Sequence, residues 1–406
     1  MPDLEDILRA ASLLENRIIR TPLVYSPTFS VMTGAEVWLK TENLQKAGSF
    51  KIRGAMNRII SERERIGPAG VVAASAGNHA QGVALAAREA GVPATIIMPE
   101  WASISKQEAT RAYGASVLLS GQSLGDALKV AEKHSLEEGM VLIHPYDDEL
   151  VIAGQGTIAI EILEDLPDTD RIVVPVGGGG LISGITVAAK ALRPQIRITG
   201  VQAAACPSAL EALERGGPVR VSAEPSLADG IRVTQTGAHT FPLIRDLVDE
   251  IVTVGEAEIA DAILALLERK RLLAEGAGAV PLAALSSGKI PVLPGEKVVL
   301  VISGGNVDTP LLGRIIRHGL FRRGRIMQFS ASLPDRPGSL ASLLGVMAGC
   351  GGNVLRITHS RGGSELPLEL FRVDIEVETR GPRHIEEIAA ALKEAGYPLL
   401  KNCSWV

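Results

Sequence analysis

Aromatic side chains are scarce in this chain of 406 residues, at 3% of the total, and basic residues are not in excess, because the formal net charge is −5. The sequence therefore does not predict an aromatic-rich binding surface, and its charge argues against nucleic acid as the main partner. Hydrophobic residues make up 46% of the chain. With abundant alanine, valine and leucine, this composition is typical of α/β layers, and the length allows two or three domains.

Cysteine is also rare. Cys206, Cys350 and Cys403 have no metal-ligand spacing, and an odd number of cysteines does not suit a disulfide framework. A reducing cytoplasm is the expected compartment. Residues 1–20 mix acidic residues with leucines and lack the basic start and apolar run of a signal peptide. No stretch approaches about 18 consecutive apolar residues, so we expect no membrane span.

Short apolar runs alternate with helical stretches over residues 1–315. We predict strands at 71–74, 94–98, 172–176, 198–201 and 297–302. Continuous apolar strands separated by helices indicate parallel sheets that are covered on both faces. The sequence therefore predicts a doubly wound, mostly parallel α/β body at 1–315, with a smaller subdomain inserted at about residues 50–145.

The sequence changes character after residue 313, where arginines cluster with glycines. A nucleic-acid patch and a solvated linker are the two interpretations, and we favour a linker at 316–325. Beyond it we predict strands at 326–333, 353–360, 371–378 and 397–403, with helices at 338–350 and 382–395. The βαββαβ order is that of a ferredoxin-like module. The module has no candidate catalytic cluster, which favours a structural or regulatory role.

The most informative segment is 48–54, in which Lys51 lies among small and apolar neighbours such as Gly48, Phe50 and Gly54. An amine in poor solvent has a lowered pKa and attacks a carbonyl at neutral pH. The segment therefore predicts Schiff-base chemistry, for which pyridoxal phosphate is the most common partner. Taken alone, it is also compatible with an ordinary lysine near a turn.

A run of glycines lies between a predicted strand and a predicted helix. It consists of Gly177, Gly178, Gly179 and Gly180, and Leu181 follows. Backbone N–H groups exposed there, at the positive end of a helix dipole, suit a phosphate group.

The dinucleotide fingerprint G-x-G-x-x-G is the main rival, and it fails at this loop. Starting at Gly177 it meets Ile182 where a glycine is required, and starting at Gly178 it meets Ser183. The next predicted strand is followed by Gln202 and alanines, with no acid for a ribose hydroxyl. A small phosphate group therefore fits better, and tight packing of strand on helix is the structural alternative.

Polar groups follow two further predicted strands. After the strand at 71–74 come Ser75, Ala76, Gly77, Asn78 and His79. Hydroxyl, backbone amides and carboxamide converge there, which suits a carboxylate or a phenolate, although His79 can equally be a packed histidine. The segment 303–306, Ser-Gly-Gly-Asn, ends the strand at 297–302, at the carboxyl edge where ligands bind in such sheets.

Together these segments resemble the fold-type II pyridoxal-phosphate enzymes, the tryptophan synthase β-subunit-like family, and most closely the threonine dehydratases (threonine ammonia-lyases). The resemblance spans residues 5–312 and includes further motifs at 40–45, 154–157, 228–230 and 275–279. Several long motifs in the same order make chance similarity negligible.

The resemblance implies roles for individual residues. Lys51 would hold pyridoxal phosphate as a Schiff base, Phe50 would lie against its ring, and Asn78 would hydrogen-bond its phenolic oxygen. The residues Gly177 to Leu181 would hold the phosphate, and Ser303 would face the pyridine nitrogen.

Less direct assignments follow from the same resemblance. The segment 75–79 would receive the substrate carboxylate, and Gly237, Glu275 and Gly304 would be further cofactor-site residues. Some relatives bind a cation near the part that matches 224–229, which makes Glu224 and Asp229 weak metal candidates.

The resemblance also implies an activity, the deamination of L-threonine to 2-oxobutanoate and ammonia, with L-serine as a secondary substrate. A serine racemase or serine dehydratase of the same fold is the nearest alternative. Racemases of this family carry a second serine that corresponds to Ala76, and a methyl group cannot donate a proton. In a different class, a non-catalytic amino-acid sensor is the alternative, but a sensor would not need Lys51.

The C-terminal module resembles ACT domains, including their signature at 333–340, Leu-Pro-Asp-Arg-Pro-Gly-Ser-Leu. Such domains pair through their sheets and bind amino acids at the interfaces. The resemblance therefore implies a regulatory domain at 326–406 with isoleucine or valine as effector. It also implies a homodimer or homotetramer. Of the two pathway roles that remain open, isoleucine biosynthesis and threonine breakdown, it favours isoleucine biosynthesis.

Overall fold

The computed structural model describes residues 1–361, 367–397 and 399. The chain divides into two compact units, Met1–Val307 and Asp308–Val406. Within the described residues, none of the helices combines the length and the apolar character needed to cross a bilayer.

The first unit alternates strands and helices. In chain order it contains α1 (Leu4–Leu14), β1 (Leu23–Tyr25), α2 (Pro27–Thr33), β2 (Glu36–Lys40), α3 (Lys51–Ser61), β3 (Val71–Ala74), α4 (Asn78–Ala90), β4 (Ala94–Met98), α5 (Ile104–Ala112), β5 (Ser116–Leu119), α6 (Leu124–Glu138), β6 (Val141–Leu142), α7 (Glu149–Asp165), β7 (Arg171–Pro175), α8 (Gly180–Leu192), β8 (Arg197–Ala203), α9 (Ser208–Arg215), α10 (Thr240–Leu247), β9 (Glu250–Val254), α11 (Glu256–Ala265), α12 (Gly276–Ser286) and β10 (Lys297–Val301). A 3₁₀ turn at Glu42–Leu44 lies between β2 and α3.

The larger sheet of this unit has the strand order β1-β2-β10-β7-β8-β9. All neighbouring pairs are parallel except β1 and β2, which are antiparallel. The central strands β7 and β10 are apolar and buried almost throughout, as parallel strands covered by helices must be. The predicted α/β class with mostly parallel sheets is therefore confirmed for this unit.

The smaller sheet has the order β5-β4-β3-β6 and is entirely parallel. It is built from residues 71–142. This stretch lies inside the range 50–145 that the sequence predicts for an inserted subdomain.

Helix α3 begins at Lys51 and packs unusually closely against its neighbours. A side chain at Gly54 would place its Cβ 2.7 Å from the Val151 carbonyl oxygen in α7, and one at Gly154 would lie 2.7 Å from the Gly54 Cα. On the side of α4, a Cβ at Gly82 would be 3.1 Å from the Lys51 carbonyl carbon. Backbone-to-backbone contact on two sides leaves the first turn of α3 little freedom to move.

Two residues after Lys51, Arg53 holds together a buried ionic network. Its guanidinium donates two hydrogen bonds of 2.8 Å to the carboxylate of Glu42 and two, of 2.6 and 2.9 Å, to Glu161, which also pairs with Lys40. The side chains of Arg53 and Glu42 are fully buried. Burial alone would raise the pKa of Glu42, but the guanidinium of Arg53 holds it below the ordinary value. The network ties the end of β2 to α3 and α7.

The second unit contains, in chain order, α13 (Thr309–Arg322), β11 (Ile326–Pro334), α14 (Ser339–Gly349), β12 (Asn353–Ser360), β13 (Leu370–Glu378) and α15 (Pro382–Glu394). Its sheet is antiparallel with the order β11-β13-β12, and Leu399 forms an isolated bridge to Ala331 of β11. These elements follow the predicted order as far as the described residues reach. Most of the strand predicted at 397–403 lies outside them.

The segment 316–325, predicted as a linker, is mostly helical because α13 runs through Arg322. Besides its arginines, the segment has apolar residues at helical spacing. Ile315 and Gly319 are buried one turn apart. Pro310 in the first turn also favours a helix start.

We predict that Arg53→Met destabilises the protein by about 3–5 kcal/mol, because it leaves the carboxylate of Glu42 buried and uncompensated. Urea unfolding measures the loss. Arg171→Met is the matched control, because the Arg171 side chain is almost as buried. This variant should lose less stability, because its partner carboxylates are better compensated. Glu250 is 37% exposed, and Glu296 keeps a hydrogen bond from a backbone N–H. Equal losses in the two variants would contradict this account of the network.

Candidate active site

Lys51 lies at the start of α3 and is partly buried. The amine donates a hydrogen bond of 2.7 Å to the backbone carbonyl of Pro145 and lies 5.1 Å from the ring centre of Phe50. Burial lowers the pKa of Lys51 to about 8, and the nearby carboxyl group of Glu275 opposes this only in part. At pH 7 an amine with this pKa is neutral in about one molecule in ten, and that neutral fraction is the nucleophile that the sequence predicts.

Asn78 connects three of the predicted segments. At the start of α4, it donates a hydrogen bond of 2.7 Å to Glu275 Oε1 and accepts one of 2.8 Å from the side chain of Asn306. Asn306 also donates to the Ala47 carbonyl, and Gly48 leaves room for it, because a Cβ there would lie 2.3 Å from Asn306 Oδ1. The segments 48–54, 75–79 and 303–306 therefore meet.

Glu275 lies at the centre of this group. It precedes α12, is buried, and its backbone N–H donates to the carbonyl of Gly304 at 3.1 Å. Burial, assisted by the charge of Asp229, raises the pKa of Glu275 to about 8. A side chain at Gly304 would place its Cβ 2.4 Å from Glu275 Oε1. The predicted pocket residues Glu275 and Gly304 are thus in direct contact.

The glycine run forms the turn between β7 and α8. Gly179 has φ +101°, a left-handed conformation that favours glycine, and α8 starts at Gly180. Leu181 is buried in the core. A Cβ at Gly178 would lie 2.4 Å from ring atoms of Tyr146. The loop is a cradle without side chains at a helix N-terminus, as a phosphate site requires.

Gly237 lies beside this cradle. Its backbone N–H points to the carbonyl of Gly178 at 3.4 Å. The sequence resemblance implies that Gly237 belongs to the cofactor pocket, and its position next to the glycine run fits that prediction.

His79 is buried within the protein. Its Nε2 lies 2.8 Å from the carbonyl oxygen of Ile143, and burial, together with the charge of Lys51, lowers the pKa of His79 to about 3. The ring is therefore neutral and partnered, as in the packed alternative. Ser75 Oγ accepts a hydrogen bond from the N–H of Gly77 at 3.2 Å, and Ala76 is buried beside it.

Ser303 follows β10 and is 2% exposed. Its carbonyl accepts a hydrogen bond of 3.1 Å from the N–H of Phe50, and Ser49 forms a bridge with Gly304. The carboxyl end of β10 is thereby joined to the turn that carries Lys51.

The metal candidates do not form a ligand cluster in the part of the chain that the structure describes. No group of three or more His, Cys, Asp or Glu side chains able to hold a metal ion occurs there. Asp229 instead pairs with the amine of Lys106 at 3.4 Å. Glu224 is exposed.

Sequence reasoning missed the segment 143–147, which supplies the carbonyl partner of Lys51 and the ring over Gly178. Its only sequence signal is its place after a strand: β6 has two residues, and the segment follows at its carboxyl end. Asn306 belongs to one of the predicted motifs, but its contact with Asn78 was not predicted.

The residues present fit pyridoxal phosphate. A buried amine of lowered pKa, a cradle of backbone N–H groups, a carboxamide and a hydroxyl are the groups that an aromatic aldehyde bearing a phosphate needs. Two buried hydroxyls, of Ser49 and Thr236, have no hydrogen-bond partner among the described residues. They flank Phe50 and Gly237 respectively, as expected where a further polar group is received.

Comparison with known proteins agrees with this donor set. Residues 14–304 match the family described as "Pyridoxal-phosphate dependent enzyme". Over 399 residues the chain is 51% identical to the L-threonine ammonia-lyase of Thermotoga maritima, with 98% of both chains covered. Over 391 residues it is 48% identical to the L-threonine ammonia-lyase of Geobacter sulfurreducens, with 96% of this chain and 97% of that one covered.

Solved structures show the same fold. The structure of maize serine racemase is 37% identical with a TM-score of 0.74, over 78% of this chain and 98% of that chain. The crystal structure of a threonine deaminase from T.th. is 40% identical with a TM-score of 0.71, over 76% of this chain and 99% of that chain. The chain therefore belongs to the family of pyridoxal-phosphate-dependent enzymes.

Proposed function

We propose that this enzyme deaminates L-threonine to 2-oxobutanoate and ammonia. The observation that carries the proposal is the partly buried amine of Lys51, whose pKa is lowered to about 8, in the same site as a phosphate cradle. Two relatives that match the chain over nearly its full length are both named L-threonine ammonia-lyase, which supports threonine as the substrate.

Lys51 would bind the cofactor covalently, with Phe50 against the ring and Asn78 at the phenolic oxygen. Gly177 to Leu181 would hold the phosphate, with Gly237 beside them. When bound, pyridoxal phosphate supplies an electron sink for the pair that the substrate α-carbon gives up.

Lys51 would also act as the base. Its amine lies 5.1 Å from the centre of the Phe50 ring and is oriented by the Pro145 carbonyl. Because burial lowers its pKa to about 8, the amine is deprotonated often enough at neutral pH to take the α-proton. The β-hydroxyl then leaves with a proton as water, and the released enamine becomes an imine that one water hydrolyses to 2-oxobutanoate and ammonia.

Ser303 would favour elimination over transamination. Its hydroxyl is neutral, so it does not hold a ring nitrogen in the protonated form as a carboxylate would. The electron pair is then retained for a shorter time, which favours prompt loss of the β-hydroxyl. Ser303 and Gly304 follow β10. The carboxyl end of this strand lies next to the turn that carries Lys51.

Racemisation is the nearest alternative, since maize serine racemase has a similar structure. Ala76 argues against it, because a methyl group cannot donate a proton to the opposite face of the substrate. L-Serine is proposed as a secondary substrate. It differs from threonine by one methyl group, a difference worth only about 1–3 kcal/mol in a pocket.

For the second unit we propose an ACT-type regulatory role with isoleucine or valine as effector, in a homodimer or homotetramer. Support comes from the antiparallel sheet with α14 and α15 in one core, and from Gly338, which has φ +93° at the turn that opens α14. Feedback by these amino acids would suit isoleucine biosynthesis. A sensor without catalysis would need no buried lysine beside a phosphate cradle.

We predict that Lys51→Ala abolishes threonine turnover and the absorbance of the covalently bound cofactor, because no other group replaces the amine. Borohydride reduction of the native enzyme followed by peptide mapping should label Lys51. Lys46→Ala is the control, since Lys46 lies five positions earlier and is partly exposed in an ion pair with Glu89. Label on another lysine would refute the assignment.

In cofactor-free enzyme, the rate at which pyridoxal phosphate attaches to Lys51 should rise with pH, with a midpoint near the lysine pKa of about 8. Glu275→Gln should move this midpoint to lower pH, because the carboxylate favours the charged ammonium. We expect a shift below about 1 unit, since Glu275 is itself only half ionised near its raised pKa. Stopped-flow absorbance measures the rate, and Glu108→Gln on the surface is the control. A midpoint that moves upward contradicts the electrostatic account.

Removal of residues 326–406 should abolish any response to isoleucine or valine and leave threonine turnover in place. Keto-acid production, measured with and without each branched-chain amino acid, tests this. A truncated enzyme that still responds would refute the regulatory assignment without affecting the catalytic one.

A further inference from the structure

The segment 143–147 touches both sides of the proposed cofactor site. The carbonyl of Pro145 accepts the hydrogen bond from the Lys51 amine, at 2.7 Å. The ring of Tyr146 lies against Gly178 of the glycine run, and its backbone lies against Gly180, where a Cβ would be 2.8 Å from the Tyr146 carbonyl oxygen. Two consecutive residues therefore contact the covalent anchor and the phosphate cradle.

The next residue, Asp147, is fixed by the start of α10. Its carboxylate accepts hydrogen bonds from the backbone N–H groups of Ala238, His239 and Thr240, at 2.9, 2.8 and 3.3 Å. A carboxylate at a helix N-terminus is held by charge-assisted hydrogen bonds and by the helix dipole. Gly237 is required by this contact, because a Cβ there would lie 2.1 Å from Asp147 Oδ1.

The start of α10 in turn contacts the glycine run. The Thr240 hydroxyl donates a hydrogen bond of 2.7 Å to the carbonyl of Gly178, and the N–H of Gly237 lies 3.4 Å from the same oxygen. These contacts form a closed series. Lys51 binds Pro145, the chain continues to Asp147, Asp147 binds the start of α10 at Thr240, Thr240 binds Gly178, and Gly178 contacts Tyr146.

We propose that Asp147 is a positioning residue that couples the phosphate cradle to the catalytic lysine. The carboxylate of Asp147 holds α10 and the 143–147 segment in one arrangement. It thereby sets the distance between the glycine run and the amine of Lys51. Phosphate in the cradle then favours the lysine position that reacts with the aldehyde. The inference rests on the roles proposed above for Lys51 and the glycine run.

The coupling is measured by supplying the cofactor in two parts. Cofactor-free enzyme is mixed with pyridoxal, which lacks the phosphate, with and without inorganic phosphate. Covalent attachment to Lys51 releases one water per aldehyde, and it is followed by absorbance and by borohydride labelling. In the native enzyme, phosphate should accelerate attachment about fivefold or more, the lower end of ordinary coupling between two sites.

Asp147→Ala should abolish the acceleration by phosphate, and Asp147→Asn should retain part of it, because a carboxamide oxygen still accepts a hydrogen bond. Asp148→Ala is the matched control. Asp148 is the next residue and also caps a helix, accepting from the Val151 N–H at 2.9 Å, but it caps α7 and pairs with Arg58. This control should keep the full acceleration.

The outcomes separate the inference from the proposed function. If the native enzyme attaches pyridoxal at Lys51 but phosphate has no effect, or if Asp147→Ala keeps the acceleration, the inference is overturned and the role of Lys51 stands. If borohydride labels another lysine in the native enzyme, the inference and the proposed role of Lys51 are both refuted. Should Asp147→Ala fail to fold, Thr240→Val breaks the contact with Gly178 and leaves Asp147 in place. Thr240→Val should also lose the acceleration by phosphate. If this variant keeps the acceleration, the inference is overturned.

Discussion

Partial burial of the Lys51 amine is the constraint on which the rest of the site depends. One helix, α3, carries two basic side chains in different surroundings: Arg53 pairs with two carboxylates and stays charged, whereas Lys51 donates to a backbone carbonyl and lies near the incompletely ionised Glu275. The first arrangement anchors the helix, and the second lowers the lysine pKa to about 8. Close contact of α3 with α4 and α7 fixes the first turn of the helix, and partial removal of water from the amine lowers its pKa.

The site gathers at the carboxyl ends of strands from two sheets. β3 and β6 of the smaller sheet lead to Asn78 and Pro145, while β7 and β10 of the larger sheet lead to the glycine run and Ser303. Parallel strands deliver their following loops to one edge, which brings residues more than 250 positions apart into contact, as between Asn306 and Ala47. The strand ends thus bring these donors together.

Much of this was readable from local sequence. Lys51, Asn78 and the glycine run each carry a short-range signal, namely apolar neighbours, a strand end or missing side chains, and the α/β class follows from continuous apolar strands. Pro145 and Asp147 have only a two-residue strand before them as a signal, and their roles come from partners 94 and 91 positions away in the chain. The linker predicted at 316–325 was wrong for a related reason: arginines masked the apolar face of α13. The sequence left His79 either as part of the binding segment or as a packed histidine. Only its contact with Ile143 decides between the two.

The central claim, that burial keeps the Lys51 amine available in its neutral form, is tested most directly by NMR titration of lysine side chains in the cofactor-free protein. Lys51→Ala identifies the resonance. We predict that this one amine titrates near pH 8, well below the ordinary lysine value of about 10.4. An amine that titrates together with the surface lysines would contradict the account.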